Sequence, residues 1–265
     1  MAEKEGLTAD DAIHLLAEWI HASSAAAAFT GAGVSTESGI PDFRSPGGLW
    51  TKFDPRELTF QRFLASEEVR KLRWKMFMEM EAMWTAKPNP AHLALAELFQ
   101  LGKLRAVITQ NVDGLHQDAG LPAAAVIELH GTNREVYCLS CGDRAPSVEV
   151  RDRIRRQRLE VPDCLKCGGL LKTATISFGQ AMPEKEMARA ERLSRETDLM
   201  LVLGSTLVVQ PAALMPWLAK QSGAKVVIVS LSETEGDAYA DLLIRGRAGE
   251  VMPRVVEQYK KLAAA

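Results

Sequence analysis

The chain lacks most features that mark membrane, secreted or nucleic-acid-coating proteins. None of its apolar runs approaches the ~20 residues that a membrane-spanning helix needs, and its charged first residues include no hydrophobic leader. Neither sign of charge dominates, since 32 basic and 34 acidic residues give a net charge of −2, whereas proteins that coat nucleic acid are usually strongly basic. Cysteine is scarce, with four among 265 residues. We therefore expect a cytoplasmic protein without a membrane or nucleic-acid partner.

Short apolar runs alternate with helical patterns along much of the chain, which has the length of one large domain or of one domain with a smaller inserted module. The apolar runs are Ala25–Thr30, Arg105–Thr109, Val126–Leu129, Leu199–Leu203 and Val226–Ser230. The helical patterns are a first helix starting at Thr8 with Asp11, then Ala91–Leu101, Glu184–Ser194 and Pro211–Gln221. This alternation predicts an α/β fold with a parallel sheet covered by helices on both faces.

Polar and glycine residues follow several of the predicted strands. In a parallel sheet the ligand site lies at the carboxyl ends of the strands. Those ends are occupied by Gly31–Gly33, Gln110–Asp113, His130–Gly131 and Gly204–Thr206. We therefore expect these residues to meet in one crevice.

Two segments interrupt the alternation. Ser45–Trp84 is rich in Phe, Trp and Met and shows no strand pattern, so we expect it to be helical. Thr132–Lys172 contains every cysteine of the chain and an arginine-rich stretch of mixed charge. The acids within that stretch favour a solvated face over a nucleic-acid patch.

The cysteines form two Cys-x-x-Cys pairs separated by 22 residues, Gly142 to Asp163; they are Cys138, Cys141, Cys164 and Cys167. Two such knuckles can place four thiolates around one zinc ion. Disulfides or buried thiols are the alternatives, but the missing secretory features disfavour disulfides. A zinc ion with four protein ligands has no open position, so we expect one structural zinc per chain.

The segment Gly31–Gly39 resembles a dinucleotide-binding turn because its glycines would allow backbone N–H groups to approach a pyrophosphate. A purely structural turn is the alternative. The dehydrogenase fingerprint requires a third glycine where this chain has Thr36, and it continues to a strand ending in an acid. Here the proline-broken segment Ile40–Arg44 follows instead. The pattern therefore suggests a dinucleotide without ordinary hydride transfer.

The next strand end gathers amide, carboxylate and imidazole groups in Thr109–His116. Asn111 or Asp113 could also be an ordinary helix cap, and His130 could be a hydrogen-bonded structural histidine. The convergence of several polar strand ends favours a catalytic crevice.

Taken together, these motifs resemble the sirtuin family. The matching segments run in family order: Gly31–Ser35 with Gly39–Arg44, Thr109–Asp113, His130–Gly131, the two cysteine knuckles, Phe178–Gly179 and Gly204–Thr206. The resemblance implies a Rossmann-like NAD-binding domain formed by residues 1–44, 85–131 and 173–265. It also implies a small zinc-ribbon and helical domain formed by residues 45–84, which include the cofactor loop, and by residues 132–172.

The resemblance also implies roles for individual residues. His130 would be the general base, and Asn111 and Asp113 would hold the nicotinamide. The implied NAD-binding residues are Gly31, Ala32, Gly33, Thr36, Phe43, Arg44, Gln110, Asn111, Val112, Asp113, Gly204, Ser205, Thr206, Ser230 and Ala248. The acyl-lysine substrate would contact Ile176, Phe178 and Gly179.

The activity that the resemblance implies is NAD-dependent removal of acyl groups from protein lysine, releasing nicotinamide and O-acyl-ADP-ribose. One alternative is transfer of ADP-ribose to protein. A non-enzymatic zinc-ribbon binding module is another, although it would leave Asn111, Asp113 and His130 without a purpose.

The chain departs from the family pattern at three places. Ser230 replaces the usual asparagine near the adenine ribose, and Gln180 replaces the usual acid after Phe-Gly. The region that carries a Tyr-x-x-Arg pair in succinyl-removing relatives is here the largely apolar Trp74–Met80. We therefore predict a preference for acetyl or other neutral acyl groups.

Overall fold

A computed structural model describes residues 7–43, 48, 51 and 54–264. Its strands are β1 (Ala26–Thr30), β2 (Val107–Thr109), β3 (Val126–Glu128), β4 (Gly131–Cys138), β5 (Arg144–Pro146), β6 (Leu171–Thr175), β7 (Leu199–Leu203), β8 (Lys225–Val229) and β9 (Leu242–Ile244). Its helices are α1 (Ala9–Ala22), α2 (Phe60–Ala65), α3 (Glu67–Glu79), α4 (Glu81–Thr85), α5 (Pro90–Gln100), α6 (Leu115–Asp118), α7 (Ser147–Gln157), α8 (Glu184–Glu196), α9 (Leu214–Gln221) and α10 (Ala248–Ala264). Within the described ranges, no helix combines the length and apolarity needed to cross a membrane.

In the described residues, the larger sheet has six parallel strands in the order β3-β2-β1-β7-β8-β9. Every residue of β1 and of β7 is buried, as expected for strands covered on both faces. The chain builds outward from β1 to β3 and later returns to the other side of β1 with β7. The predicted Rossmann-like parallel sheet is confirmed.

The helices that cover this sheet follow from local sequence signals. Thr8 and Asp11 form a reciprocal capping box that starts α1, and Asn89 caps α5 ahead of Pro90. Helix α10 packs against both α1 and α5, and α8 packs against α9. Their buried faces belong to the same hydrophobic core as the strands.

Two parts of this region differ from the sequence predictions. The expected helix from Pro211 begins only at Leu214, because Pro211 lies in a turn whose carbonyl oxygen accepts from Leu214 N. Strand β9 and helix α10 were not predicted. The strand has three residues, and α10 contains Gly249 and Pro253, which disfavour a helix on propensity alone.

The segment that bears the cysteines forms a smaller antiparallel sheet in the order β5-β4-β6. Helix α7 packs beside it with its Val150 and Ile154 faces inward. Trp74 and Phe77 of α3 share this second core with Val136. The described part of the preceding aromatic-rich segment is helical, as predicted, and packs against the cysteine-bearing sheet.

Candidate active site

An open cleft of about 560 Å³ lies at the carboxyl ends of the central parallel strands. Its walls include the residues that follow β1, β2, β7 and β8. Strand β1 is the point from which the chain leaves toward both sides of the sheet, and such a switch point is where open α/β sheets bind ligands.

Most of the residues predicted to bind the cofactor line this cleft, together with His130. They are Gly31, Ala32, Gly33, Thr36, Phe43, Gln110, Asn111, Gly204, Ser205, Thr206, Ser230 and Ala248. Val112 and Asp113 follow directly but do not line it, and Arg44 lies outside the described residues.

The glycines at the end of β1 allow it to approach the end of β7 closely. A Cβ on Gly31 or on Gly33 would lie 2.8 Å from the carbonyl oxygen of Gly204. Gly204 itself has φ +58, and its own Cβ would lie 2.3 Å from Val34 N. These glycines therefore allow close packing of the two strand ends, and the same residues line the cleft.

Asn111 and Asp113 are joined through Ser35, which was not among the predicted site residues. Asn111 Nδ2 donates to Gly31 O and to Ser35 Oγ, each over 3.1 Å. Ser35 Oγ in turn donates to Asp113 Oδ2 over 2.8 Å. Asp113 Oδ1 also accepts from Leu115 N, at the start of α6, over 2.9 Å. The N-cap of that helix is Gly114, so the carboxylate contacts the helix start without being its cap.

Two buried histidines stand behind this network. His92 Nε2 lies 3.5 Å from Ser35 Oγ, and its Nδ1 accepts from Asn89 N. The ring of His116 is 4.9 Å from that of His92, and its Nε2 bonds to Thr30 Oγ1 over 2.9 Å. Burial lowers the pKa of His92 to about 4 despite the nearby Asp113, and burial together with His92 lowers that of His116 to about 3. Both imidazoles are therefore neutral at pH 7.

His130 is positioned by main-chain contacts. Its Nδ1 lies 3.0 Å from the carbonyl oxygen of Gln110, and because a carbonyl only accepts, Nδ1 carries the proton and Nε2 keeps its lone pair. Burial lowers the pKa of His130, although the bond to Gln110 opposes the shift. The His130 imidazole therefore stays neutral to lower pH than a solvent-exposed histidine does.

The predicted substrate residues follow β6 and lie next to His130. Ile176 N donates to the carbonyl oxygen of His130 over 2.7 Å. Phe178 is half-exposed, and its carbonyl oxygen accepts from Phe60 N over 2.9 Å. Gly179 has φ +75, in the region that glycine adopts most easily. This segment therefore connects the histidine to the helical module.

The far end of the cleft offers polar groups that suit a nucleotide. Gln110 Nε2 donates to Ser205 Oγ over 2.8 Å. Ser230 lines the cleft, and among the described residues its hydroxyl has no hydrogen-bond partner, so this group can donate to or accept from a bound ligand. The cleft thus fits a dinucleotide.

Glu37 also lines the cleft and was not among the predicted site residues. Its Oε2 accepts from Gly249 N, in the first turn of α10, over 2.9 Å. A single acid inside a glycine-rich loop gives no sequence signal that it will reach a helix more than 200 residues later.

The cysteine sulfurs converge on one point in the smaller sheet. The four Sγ atoms of Cys138, Cys141, Cys164 and Cys167 lie within 4.8 Å of one another, and the closest pairs are 3.5 and 3.7 Å apart. Tetrahedral zinc with Zn–S bonds of about 2.3 Å separates its sulfurs by about 3.8 Å. The four thiols are not paired as disulfides, and the donor set fits a closed zinc site.

Comparison with known proteins agrees with this geometry. The chain is 45% identical over 244 residues to an NAD-dependent protein deacetylase of Thermodesulfovibrio yellowstonii, covering 92% of this chain and 93% of the relative. It is also 45% identical over 243 residues to an NAD-dependent protein deacylase of Pyrococcus furiosus, covering 91% and 95%.

Solved structures of Sir2 enzymes also resemble this chain in fold and in sequence. One, from a study of Sir2 mechanism and regulation, aligns with a TM-score of 0.87 at 42% identity over 96% of this chain and 99% of its own. A second contains a deacetylated p53 peptide and 3′-O-acetyl-ADP-ribose, with a TM-score of 0.86 at 37% identity over 93% and 98%. A third binds a myristoylated histone peptide, with a TM-score of 0.80 at 36% identity over 96% and 99%. Residues 31–211 match the sequence model of the Sir2 family, and this chain belongs to that family.

Proposed function

We propose that the protein removes acetyl or other neutral acyl groups from protein lysine with consumption of NAD, releasing nicotinamide and O-acyl-ADP-ribose. The observation that carries this proposal is the position of His130. Its ring lines the cofactor cleft, while its own carbonyl oxygen holds Ile176, at the start of the proposed substrate segment. His130 thus connects the proposed NAD site with the proposed acyl-lysine site.

NAD, when bound, supplies the ribose carbon that takes the acyl oxygen as nicotinamide leaves. His130 Nε2 is the base that accepts a ribose hydroxyl proton, since Nδ1 is committed to Gln110 O. Its lowered pKa keeps it neutral, and therefore able to accept a proton, throughout the neutral range.

Asn111 and Asp113 hold the carboxamide of nicotinamide. Ser35 keeps both side chains in place, since it accepts from Asn111 and donates to Asp113. Gln110 and Ser205, joined to each other, contact the ribose and phosphates. Val112 connects Asn111 to Asp113 in the chain and contributes to the same nicotinamide site. Phe43 belongs to the loop that covers the cofactor.

The substrate lysine enters beside Phe178. The neighbouring peptide backbone pairs with Gly179 and its neighbours, in the manner of an added strand. Main-chain pairing gives affinity without demanding a particular flanking sequence. Acyl-lysine proteins or peptides are thus the proposed partners, and zinc holds the smaller sheet without entering the chemistry.

We assign the reaction to the cytoplasm. Four cysteines that converge as thiols suit a reducing compartment.

The test uses the zinc-loaded protein, NAD and a panel of acetyl, butyryl and unmodified lysine peptides of one sequence. We expect nicotinamide release that requires the acyl group, accompanied by loss of acyl mass from the peptide. ADP-ribose attached to protein, without any acyl product, would instead establish the transferase alternative.

A further inference from the structure

Glu37 occupies an unusual position for an acid in a proposed nucleotide cleft. It lies on the short 3₁₀ helix Ala32–Ser38 that follows β1, and its Oε2 accepts from Gly249 N over 2.9 Å. A negative charge at the start of α10 is stabilised by the helix dipole. This contact explains why the carboxylate is held in place, yet it uses only one of the two oxygens.

The second oxygen, Oε1, has no hydrogen-bond or ion-pair partner among the described residues. A Cβ on Gly249 would lie 2.7 Å from Oε2 and 2.8 Å from Oε1. The carboxylate can therefore lie over the first turn of α10 only because residue 249 has no side chain. Gly249 fixes where the acid sits, and the remaining oxygen belongs to the wall of the cleft.

The neighbouring cleft residues indicate what this oxygen meets. Ser230 lines the same cleft, and its hydroxyl can both donate and accept, which suits a ribose hydroxyl. A carboxylate only accepts and would repel a phosphate. The exocyclic amine of adenine offers N–H donors and is the complementary group for an acceptor of this kind.

We propose that Glu37 reads the 6-amino group of adenine, so that the protein selects adenine over hypoxanthine nucleotides. The inference rests on the proposed function, which assigns this cleft to NAD. Hypoxanthine has a 6-oxo group in place of the amine, and two oxygens facing each other lose the hydrogen bond and repel. A site built around a hydrogen bond rejects the analogue that lacks it far more strongly than an apolar pocket does.

The first experiment measures binding without any reaction. Isothermal titration compares ADP with IDP on the zinc-loaded protein. We expect ADP to bind at least about tenfold more tightly. Glu37→Gln should lose or reverse this preference, because the glutamine amide can donate to a 6-oxo group.

Two further variants separate recognition from structure. Gly249→Ala should also reduce the ADP/IDP ratio, since the new methyl displaces the Glu37 carboxylate while alanine suits a helix better than glycine. Glu257→Gln removes an exposed acid further along α10, where its ion-pair partner Lys261 also lies outside the cleft lining, and it should leave the ratio unchanged. Because each ratio is taken on one protein, a variant that folds partially still reports it.

A kinetic comparison distinguishes this inference from the proposed function. NAD and nicotinamide hypoxanthine dinucleotide are supplied with the same acetyl peptide, and nicotinamide release is followed. Equal binding of ADP and IDP, or a ratio unaffected by Glu37→Gln, overturns the role of Glu37 even when deacylation proceeds. A preference for ADP that depends on Glu37 supports that role even if no acyl-dependent release occurs, in which case the proposed function fails alone.

Discussion

The side-chain amide of Gln180 donates to the phenol oxygen of Tyr137 over 3.1 Å. Tyr137 stands directly opposite Lys172 in the smaller sheet, so these side chains share a face. Lys172 is 1% exposed, and burial together with the charge of Arg73 lowers its pKa to about 7. No carboxylate among the described residues pairs with Lys172 or Arg73. The amide of Gln180 is thus bonded to the tyrosine that stands opposite a buried lysine.

Gln180→Glu should therefore stabilise the fold. A carboxylate beside Lys172 raises the pKa of the lysine, and we expect the free energy of unfolding at pH 7 to rise by about 1 kcal/mol. Urea unfolding measures the change. Gln157→Glu, which adds the same charge on the exposed part of α7, is the control; an equal gain from both variants would exclude the local explanation.

His130→Ala should abolish acyl transfer and leave the fold intact. Loss of a general base typically costs 10²- to 10⁴-fold in rate, so O-acyl-ADP-ribose formation should fall by at least about 10²-fold while the thermal transition remains cooperative. His14→Ala changes an exposed histidine on α1 and should retain full activity. A folded His130 variant with near-normal turnover would contradict the proposed base.

Acid should destabilise the protein through His116. Its pKa is about 3 in the folded chain against an ordinary 6.5, so the unfolded state binds more protons as the pH falls below about 6.5. The stability contributed by the neutral imidazole is thus present above pH 6.5 and is lost progressively until the folded pKa is reached. Between pH 7 and pH 5 this loss is about 2 kcal/mol.

The check is urea unfolding at both pH values for the wild type and for His116→Gln, whose amide can still donate to Thr30. The variant should lose about 2 kcal/mol less than the wild type over this interval. Identical pH dependence in both proteins would assign the acid sensitivity to other groups.

Removing zinc should unfold the smaller sheet before the larger one. Cys141→Ser or Cys164→Ser should eliminate the single bound zinc, measured by metal analysis, and should lower the unfolding free energy by roughly 3 kcal/mol or more. Because β6 leads directly to Ile176 and Phe178, peptide binding should weaken while ADP binding persists. Lys166→Ala, an exposed change between two of the ligands, should keep the metal.

Acetyl-lysine should be processed faster than succinyl-lysine in the same peptide, by about tenfold or more, because a buried carboxylate needs a partner. Arg73, which reaches the substrate segment, already donates to Leu58 O and Ser177 Oγ. Butyryl-lysine matches the succinyl chain in length without its charge and should be accepted. Faster removal of succinyl would contradict the preference for neutral acyl groups.

The parallel sheet, the zinc knuckles and most cleft residues were predictable because their signals are local. A short apolar run predicts a buried strand, and the residues that follow it must lie at the edge of the sheet. Four cysteines in two pairs specify a metal site by spacing alone. The division of the chain into domains at residues 44, 84, 131 and 172, and the role of each site residue, remain predictions.

The residues that were missed act through long-range contacts. Ser35, His92 and Glu37 appear in the sequence as an ordinary hydroxyl, a helical histidine and a loop acid. The partners that bring them into the site lie 57 or more positions away, and no local sequence pattern predicts such pairs. The lowered pKa of His130 likewise depends on burial that only the assembled fold creates.

The interlocked glycines at residues 31, 33 and 204 restrict how this protein could change its cofactor. Any side chain there would separate β1 from β7 before it touched a ligand, so these three positions cannot be varied to alter nucleotide choice. Evolution or engineering of a new cofactor preference must use other residues of the cleft, such as Ser230 and Glu37. The most recognisable motif of the chain is therefore its least adaptable one.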